Sequence, residues 1–279
     1  MPELPEVETI RRQLDQQLRD AEIIAADAHG SHKFSPALDA IGSTITGIGR
    51  RGKYLLFELD TGEGYPNQEL VAHLGMTGSF HIEPRIDDST STIDDFGPHC
   101  RAVWTLDDGR RLRFNDTRRF GRLRVVDNGD YGDIPTLAQM GPEPFDPAFT
   151  GQSLYDSVKK SNRAIKTQLL SQRPVAGVGN IYADEALFLA GVNPKAKRVG
   201  LDRCVALADT VRQVLKAGID NGGTTLRDYV DAAGDTGTNQ LSLVAYGRAG
   251  EPCVACGSEM RSTVIDARTT TYCPQCQRR

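Results

Sequence analysis

The chain has 279 residues, 39% of them hydrophobic and 25% charged, with six cysteines and a formal net charge of −4. That length allows two or three domains with real cores, and the composition is that of an ordinary globular protein. No run approaches the roughly 18 to 20 apolar residues of a membrane helix, and the N-terminus lacks the basic-then-apolar order of a signal peptide, so a cytoplasmic location is expected.

The chain opens MPELPEVE. From Pro5 onward Val7, Ile10, Leu14 and Leu18 recur at three- and four-residue steps, the spacing of an amphipathic helix. Pro5 suits a first helical turn, and glutamates suit the positive end of the helix dipole. Short β-type runs follow: IIAADAHG, STITGIGRRGKYLLFELD, ELVAHLGMTGSFHIE, CRAVWTLDDG, RRLRFNDT and GRLRVVDNG, each bounded by Gly, Asp or Asn. Asp107-Asp108-Gly109 between two runs is a hairpin signal. The first 130 or so residues therefore predict one helix with an antiparallel sandwich or barrel. Bulk charge argues against a nucleic-acid partner, yet residues 110 to 124 hold seven arginines against the single acid Asp116, so a local basic surface is available.

The GPEPFDP stretch (141–147) reads as a linker, and residues 151–220 switch to helical periodicity. SLYDSVKKSNRAIKTQLLSQ and IYADEALFLAG flank a glycine turn, RPVAGVGN, in which Asn180 is a fitting N-cap for a helix beginning at Ile181. Such a turn at a helix start can hold phosphate. The final segment has the spacing C-x2-C-x16-C-x2-C through Cys253, Cys256, Cys273 and Cys276. Four thiolates at that spacing predict one zinc ion, and a set closed by four sulfurs leaves no open position, so the metal is structural. The expected domains are 1–135, a linker 136–150, 151–235, and 236–279 with the zinc finger.

MPELPEVE, RRGKYLLFEL around Lys53, HLGMTGSF around Met76, FNDTRRFG at 114–121, VAGVGNIYADEALF at 175–188 and the terminal cysteines occur in one order over almost the whole chain. Together they resemble bacterial formamidopyrimidine-DNA glycosylase. The resemblance implies an α+β multidomain fold: an N-terminal helix on an antiparallel β-sandwich, a helix-two-turns-helix domain and a zinc finger. It implies a monomer acting on damaged double-stranded DNA, excising oxidised purines and then cleaving the strand as an AP lyase. In that reading, removal of Met1 frees the Pro2 amine as the nucleophile. An α-amine with pKa near 8 is unprotonated at neutral pH roughly a hundredfold more than a lysine near 10.4, an advantage that the greater basicity of a prolyl amine shrinks but does not remove. Glu3 becomes the acid/base residue that opens the sugar ring, Lys53 the strand lysine of β-elimination, Arg268 the zinc-finger arginine of δ-elimination, and Glu6 a carboxylate that positions substrate. His73, His99, Lys166, Gly179, Asn180 and Tyr246 match DNA-contacting positions, while Met76, Arg118 and Phe120 match the residues that fill the space left by an everted base.

Departures from the family pattern are also present. A lesion-capping stretch that reads DGKPGYF in many relatives is AGDTGTN at 233–239, with Thr238 and Asn239 replacing its aromatic pair, and Gly97 stands where histidine is common. Two alternatives stand beside the main reading: an endonuclease VIII-like glycosylase for oxidised pyrimidines, whose usual opening resembles PEGPEI, and a non-catalytic zinc-ribbon DNA-binding protein.

Overall fold

A computed structural model describes residues 1–85, 96–226 and 229–278. The chain forms two compact units, Met1–Pro135 with Gly222–Gly237, and Thr136–Asn221 with Thr238–Arg279.

In the first unit, helix α1 (Leu4–Leu18) starts where Glu3 and Glu6 form a reciprocal capping box, with proline in the first turn. Its Val7, Ile10, Leu14 and Leu18 are fully buried and share one core with Ile45, Ile48, Leu55 and Phe57. Burial of each such side chain contributes about 1.5–3 kcal/mol. Asp15 Oδ1 accepts from Ile48 N at 2.8 Å and Arg50 Nε donates to Glu8 Oε2 at 3.0 Å, riveting the helix to its sheet.

The β-type runs form β1 (Ile23–Ala28), β2 (Thr44–Arg51), β3 (Tyr54–Asp60), β4 (Gln68–His73), β5 (Gly78–Glu83), β6 (Cys100–Leu106), β7 (Arg111–Asp116) and β8 (Arg122–Asp127). They make two four-stranded antiparallel sheets, ordered β2-β3-β4-β8 and β1-β6-β7-β5. The expected hairpin at Gly109 joins β6 to β7, closed by Leu106 N to Arg110 O at 2.9 Å. STITGIGRRGKYLLFELD is not one strand but the hairpin β2–β3: Arg51 pairs with Tyr54, and Gly52 takes φ +56° in the two-residue loop. Phe34, Phe57, Phe80, Trp104 and Phe114 fill the core, Phe80 and Phe114 with centroids 4.9 Å apart.

The second unit opens within a single helical turn, α2 (Pro135–Ala138), and contains α3 (Gly151–Val158), α4 (Ile165–Leu170), α5 (Asn180–Leu189), α6 (Leu201–Asp220) and the hairpin β9 (Arg261–Ile265)–β10 (Arg268–Tyr272). The stretch read as one helix from Ser153 is divided into α3 and α4. Arg198 Nη1 draws the chain out of helix by donating to Lys159 O at 3.1 Å and Ser161 O at 2.8 Å, and Ile165 N donates to Ala196 O at 2.7 Å. α3 lies close against α6 because Gly151 has no side chain; a Cβ there would stand 2.5 Å from Val205 Cα. Residues 141–147 are hydrogen-bonded within this unit, Gly141 N to Gln172 O and Ala176 N to Pro142 O.

Candidate active site and metal centre

At the start of α1, Pro2 is buried, and Glu3 and Glu6 are 2% and 1% exposed. Glu6 works in two directions: Oε2 accepts from Glu3 N and Oε1 accepts from Thr224 N, both at 2.7 Å. The second bond seats the 222–226 segment on the helix start. Gly223, at φ +90°, is needed there because a Cβ would lie 2.9 Å from Glu6 Cγ. Thr224 was not signalled by the sequence, since only the fold brings it 218 residues back to Glu6. Two carboxylates at the positive end of a helix are held as the dipole favours.

Lys53, read as a strand lysine, occupies the second loop position of the β2–β3 hairpin and is 6% exposed. Its charge acts on His73 at the end of β4, whose ring meets that of Tyr54 at 4.7 Å between centroids. His73 Nδ1 accepts from Gly75 N at 3.1 Å, which places the proton of the neutral ring on Nε2. Burial first, then the Lys53 and Arg122 charges, push its pKa down to about 4. His73 is thus a neutral donor at physiological pH.

Met76 and Phe120 are exposed by 38% and 48%, and the Arg118 guanidinium sits 5.0 Å from the Phe120 ring centroid. All three stand on the turns that follow β4 and β7. His99 is exposed. Gly97 takes φ +58°, in the left-handed region that glycine enters most readily.

In the second unit, α5 begins at Asn180 with Gly179 as its N-cap, one residue earlier than expected, and the Asn180 side chain does not cap. Its Nδ2 donates to Thr269 O at 3.2 Å, next to Arg268 at the start of β10, which is exposed. Lys166, expected on the DNA-facing surface, is instead fully buried: its ammonium lies 2.5 Å from Asp184 Oδ1 and 2.9 Å from Thr270 Oγ1. Asp184 Oδ2 also accepts from Thr271 N at 2.9 Å, and burial pushes its carboxyl up to about 6 against the pull of Lys166. The pair therefore ties α4 and α5 to β10, the strand that begins at Arg268. Half-buried Tyr246 is set by Glu185, whose carboxylate accepts from Val244, Ala245 and Tyr246 N at 3.0, 2.8 and 2.7 Å. Asp184 and Glu185 escaped the sequence reading, although two adjacent acids on a helix buried nearly all round were the available signal.

Cys253, Cys256, Cys273 and Cys276 bring their sulfurs within 4.8 Å of one another. Cys253–Cys276 and Cys256–Cys273 are separated by 3.9 and 3.5 Å. A tetrahedron with Zn–S of about 2.3 Å requires sulfurs roughly 3.8 Å apart, so the four cysteines fit one structural zinc ion. Phe188 of α5, Ala245 and Met260 pack around Cys253 and Cys273.

A capped N-terminal helix on a β-sandwich, a glycine turn between helices and a ribbon closed by four cysteines define an α+β protein with a zinc ribbon. Residues 1–123 match the profile described as formamidopyrimidine-DNA glycosylase N-terminal domain, 140–230 that of its H2TH domain, and 250–279 that of a zinc finger found in FPG and IleRS. Formamidopyrimidine-DNA glycosylases of Deinococcus radiodurans and Bacillus subtilis are 41% and 40% identical, covering 99% of this chain and 97% and 99% of theirs. The crystal structure of MutM (Fpg) from Thermus thermophilus superposes with TM-score 0.87 at 42% identity over 99% of this chain and 98% of its own. A Lactococcus lactis Fpg mutant in complex with Fapy-dG-containing DNA does so at 0.85 and 33% over all of both chains. The chain belongs to the formamidopyrimidine-DNA glycosylase family.

Proposed function

We propose that this enzyme couples base excision to strand cleavage through an imine on Pro2, and that its substrates are oxidised purines such as 8-oxoguanine and the formamidopyrimidines. The observation that carries the reading is the double clamp of Glu6, which fixes residue 3 and thereby residue 2 at the start of α1. With Met1 removed, the lone pair of the Pro2 nitrogen forms a bond to C1′ and the base departs with the electrons of the glycosidic bond. The attacking nitrogen then gives up its N–H proton, Glu3, next along the chain, protonates the ring oxygen, and the nitrogen lone pair displaces that oxygen as the sugar opens to an iminium. The resulting iminium acidifies C2′; loss of that proton expels the 3′ phosphate, with Lys53 as the proton-transfer group. A second elimination expels the 5′ phosphate with help from Arg268.

His73 Nε2–H, His99, Tyr246, Asn180 and the start of α5 at Gly179 supply contacts to DNA, which fix register without reading sequence. Met76 and Phe120 wedge into the space the base leaves, and Arg118 pairs with the orphaned opposite base. Zinc maintains the ribbon that presents Arg268. The enzyme acts as a monomer in the cytoplasm.

Borohydride reduction with an abasic duplex tests the imine. Protein with a free prolyl N-terminus is expected to give a covalent adduct and cut the strand, and protein carrying a retained Met1 is expected to give neither. An adduct of equal yield from both would overturn the mechanism. Excision of 8-oxoguanine and formamidopyrimidine ahead of 5-hydroxycytosine is the expected lesion order.

A further inference from the structure

Asp116, the last residue of β7, is fully buried and takes no part in the chemistry above. Its two carboxylate oxygens serve different turns. Oδ1 accepts from Thr77 Oγ1 at 2.6 Å, on the turn that carries Met76; Oδ2 accepts from Gly121 N at 2.7 Å, on the turn that carries Arg118 and Phe120. Thr77 Oγ1 in turn accepts from Arg118 N at 3.1 Å, so two hydrogen bonds cross between the turns while the Gly121 bond closes the second turn on itself. Arg101, 3% exposed, donates from Nε to the backbone oxygen of Asp116 at 2.8 Å and holds this end of β7 in place.

The backbones are shaped for the same contact. A Cβ on Gly75, at φ +64°, would lie 2.5 Å from Gly121 N and from the Phe120 carbonyl carbon, and one on Gly121 would lie 3.0 Å from Asp116 Oδ2. The two turns are thus pressed together and joined through one buried carboxylate. Ionised acceptors make the stronger hydrogen bonds, and a buried one is best satisfied by fixed donors.

We propose that Asp116, acting through Thr77, is the positioning residue that makes Met76, Arg118 and Phe120 a single rigid wedge. The inference rests on the void-filling reading of those three side chains. A base held out of the stack costs a few kcal/mol, and a wedge can offset that only if its parts enter together, without each first losing the freedom of a separate loop. The brace accordingly governs eversion and reading of the opposite base, and not the elimination chemistry.

The test compares two duplexes, one with 8-oxoguanine opposite cytosine and one with a preformed abasic site, where no base has to leave the stack. Thr77→Val keeps shape and removes the hydroxyl; Asp116→Ala removes both acceptors. In single turnover each is expected to slow base excision about tenfold, the effect of one or two lost hydrogen bonds, while abasic-site cleavage stays within about twofold of wild type. Discrimination between cytosine and adenine opposite the lesion is expected to narrow in the same variants. Asp116→Asn, which can still accept from Gly121 and donate to Thr77, is expected to restore near wild-type excision. Equal losses on both duplexes, or no loss on either in Thr77→Val, would overturn the brace even if Asp116→Ala fails to fold. A wild-type protein inactive on both duplexes would overturn the functional reading and the brace with it.

Discussion

An imidazole can work as a cation or as a neutral donor, and burial beside Lys53 and Arg122 commits His73 to the second role. The sign of the resulting pH effect follows from linkage. With a pKa near 6.5 unfolded and about 4 folded, His73 binds protons in the unfolded chain first, so stability is lost as pH falls through that window. Urea denaturation at pH 7 and pH 5 should therefore show wild type losing more stability than His73→Gln; equal losses would contradict the neutral assignment. A second residue-scale expectation concerns the departure at 238–239. Thr238 is exposed, whereas Asn239 is 4% exposed, accepts from Asn221 Nδ2 at 3.1 Å and donates to the Tyr182 hydroxyl at 3.4 Å. Thr238→Tyr should thus be neutral within about 0.5 kcal/mol, as exposed substitutions usually are. Asn239→Phe takes that acceptor from the Asn221 amide and should cost about 1–3 kcal/mol in the same denaturation assay. The family pattern pairs these two positions as lost aromatics, but their burial separates them, and burial of a polar residue at the start of a single 3-10 turn has no period to betray it.

At the scale of elements, legibility followed from how local the cause was. The apolar steps of α1, the turn residues at Gly109 and the cysteine spacing act over a few residues, and each was readable. The break between α3 and α4 was not, because Arg198 imposes it from beyond α5. Among the expected contact residues, Lys166 shows the same limit: a lysine in a helix carries no sign that Asp184 and Thr270 will enclose it. Removing one member of such a pair leaves an uncompensated buried charge, a cost of about 3–5 kcal/mol, whereas replacing both by apolar groups can be nearly neutral. Lys166→Met should accordingly destabilise far more than Lys166→Met with Asp184→Leu, and a double-mutant cycle by denaturant unfolding would check it. The hairpin β9–β10 has only two strands and is marginal without its metal. Zinc removal by a chelator should abolish DNA binding and open residues 250–278 to proteolysis, while amide exchange in β2, β3 and β4 stays slow; a ribbon that stays protected without zinc would contradict the structural role.

For the molecule as a whole, a net charge of −4 has to be reconciled with a polyanionic partner. Charge-neutral contacts offer one route, and they leave a thermodynamic mark. Each phosphate neutralised by a cation releases condensed counterions and adds about 0.9 to the slope of log K against log salt, while a neutral donor adds affinity without slope. Asn180 is uncharged, and His73 is held neutral by the burial that lowers its pKa. Arg268 carries a full charge at an exposed site. Binding of an abasic-analogue duplex measured from low to moderate salt should therefore divide these residues. Arg268→Gln is expected to weaken binding and reduce the slope by about one unit. His73→Gln is expected to weaken binding at every salt concentration with the slope unchanged, and Asn180→Ala to behave the same way. If His73→Gln lowered the slope as Arg268→Gln does, the imidazole would be acting as a cation, and the division of labour between charged and neutral contacts would fail.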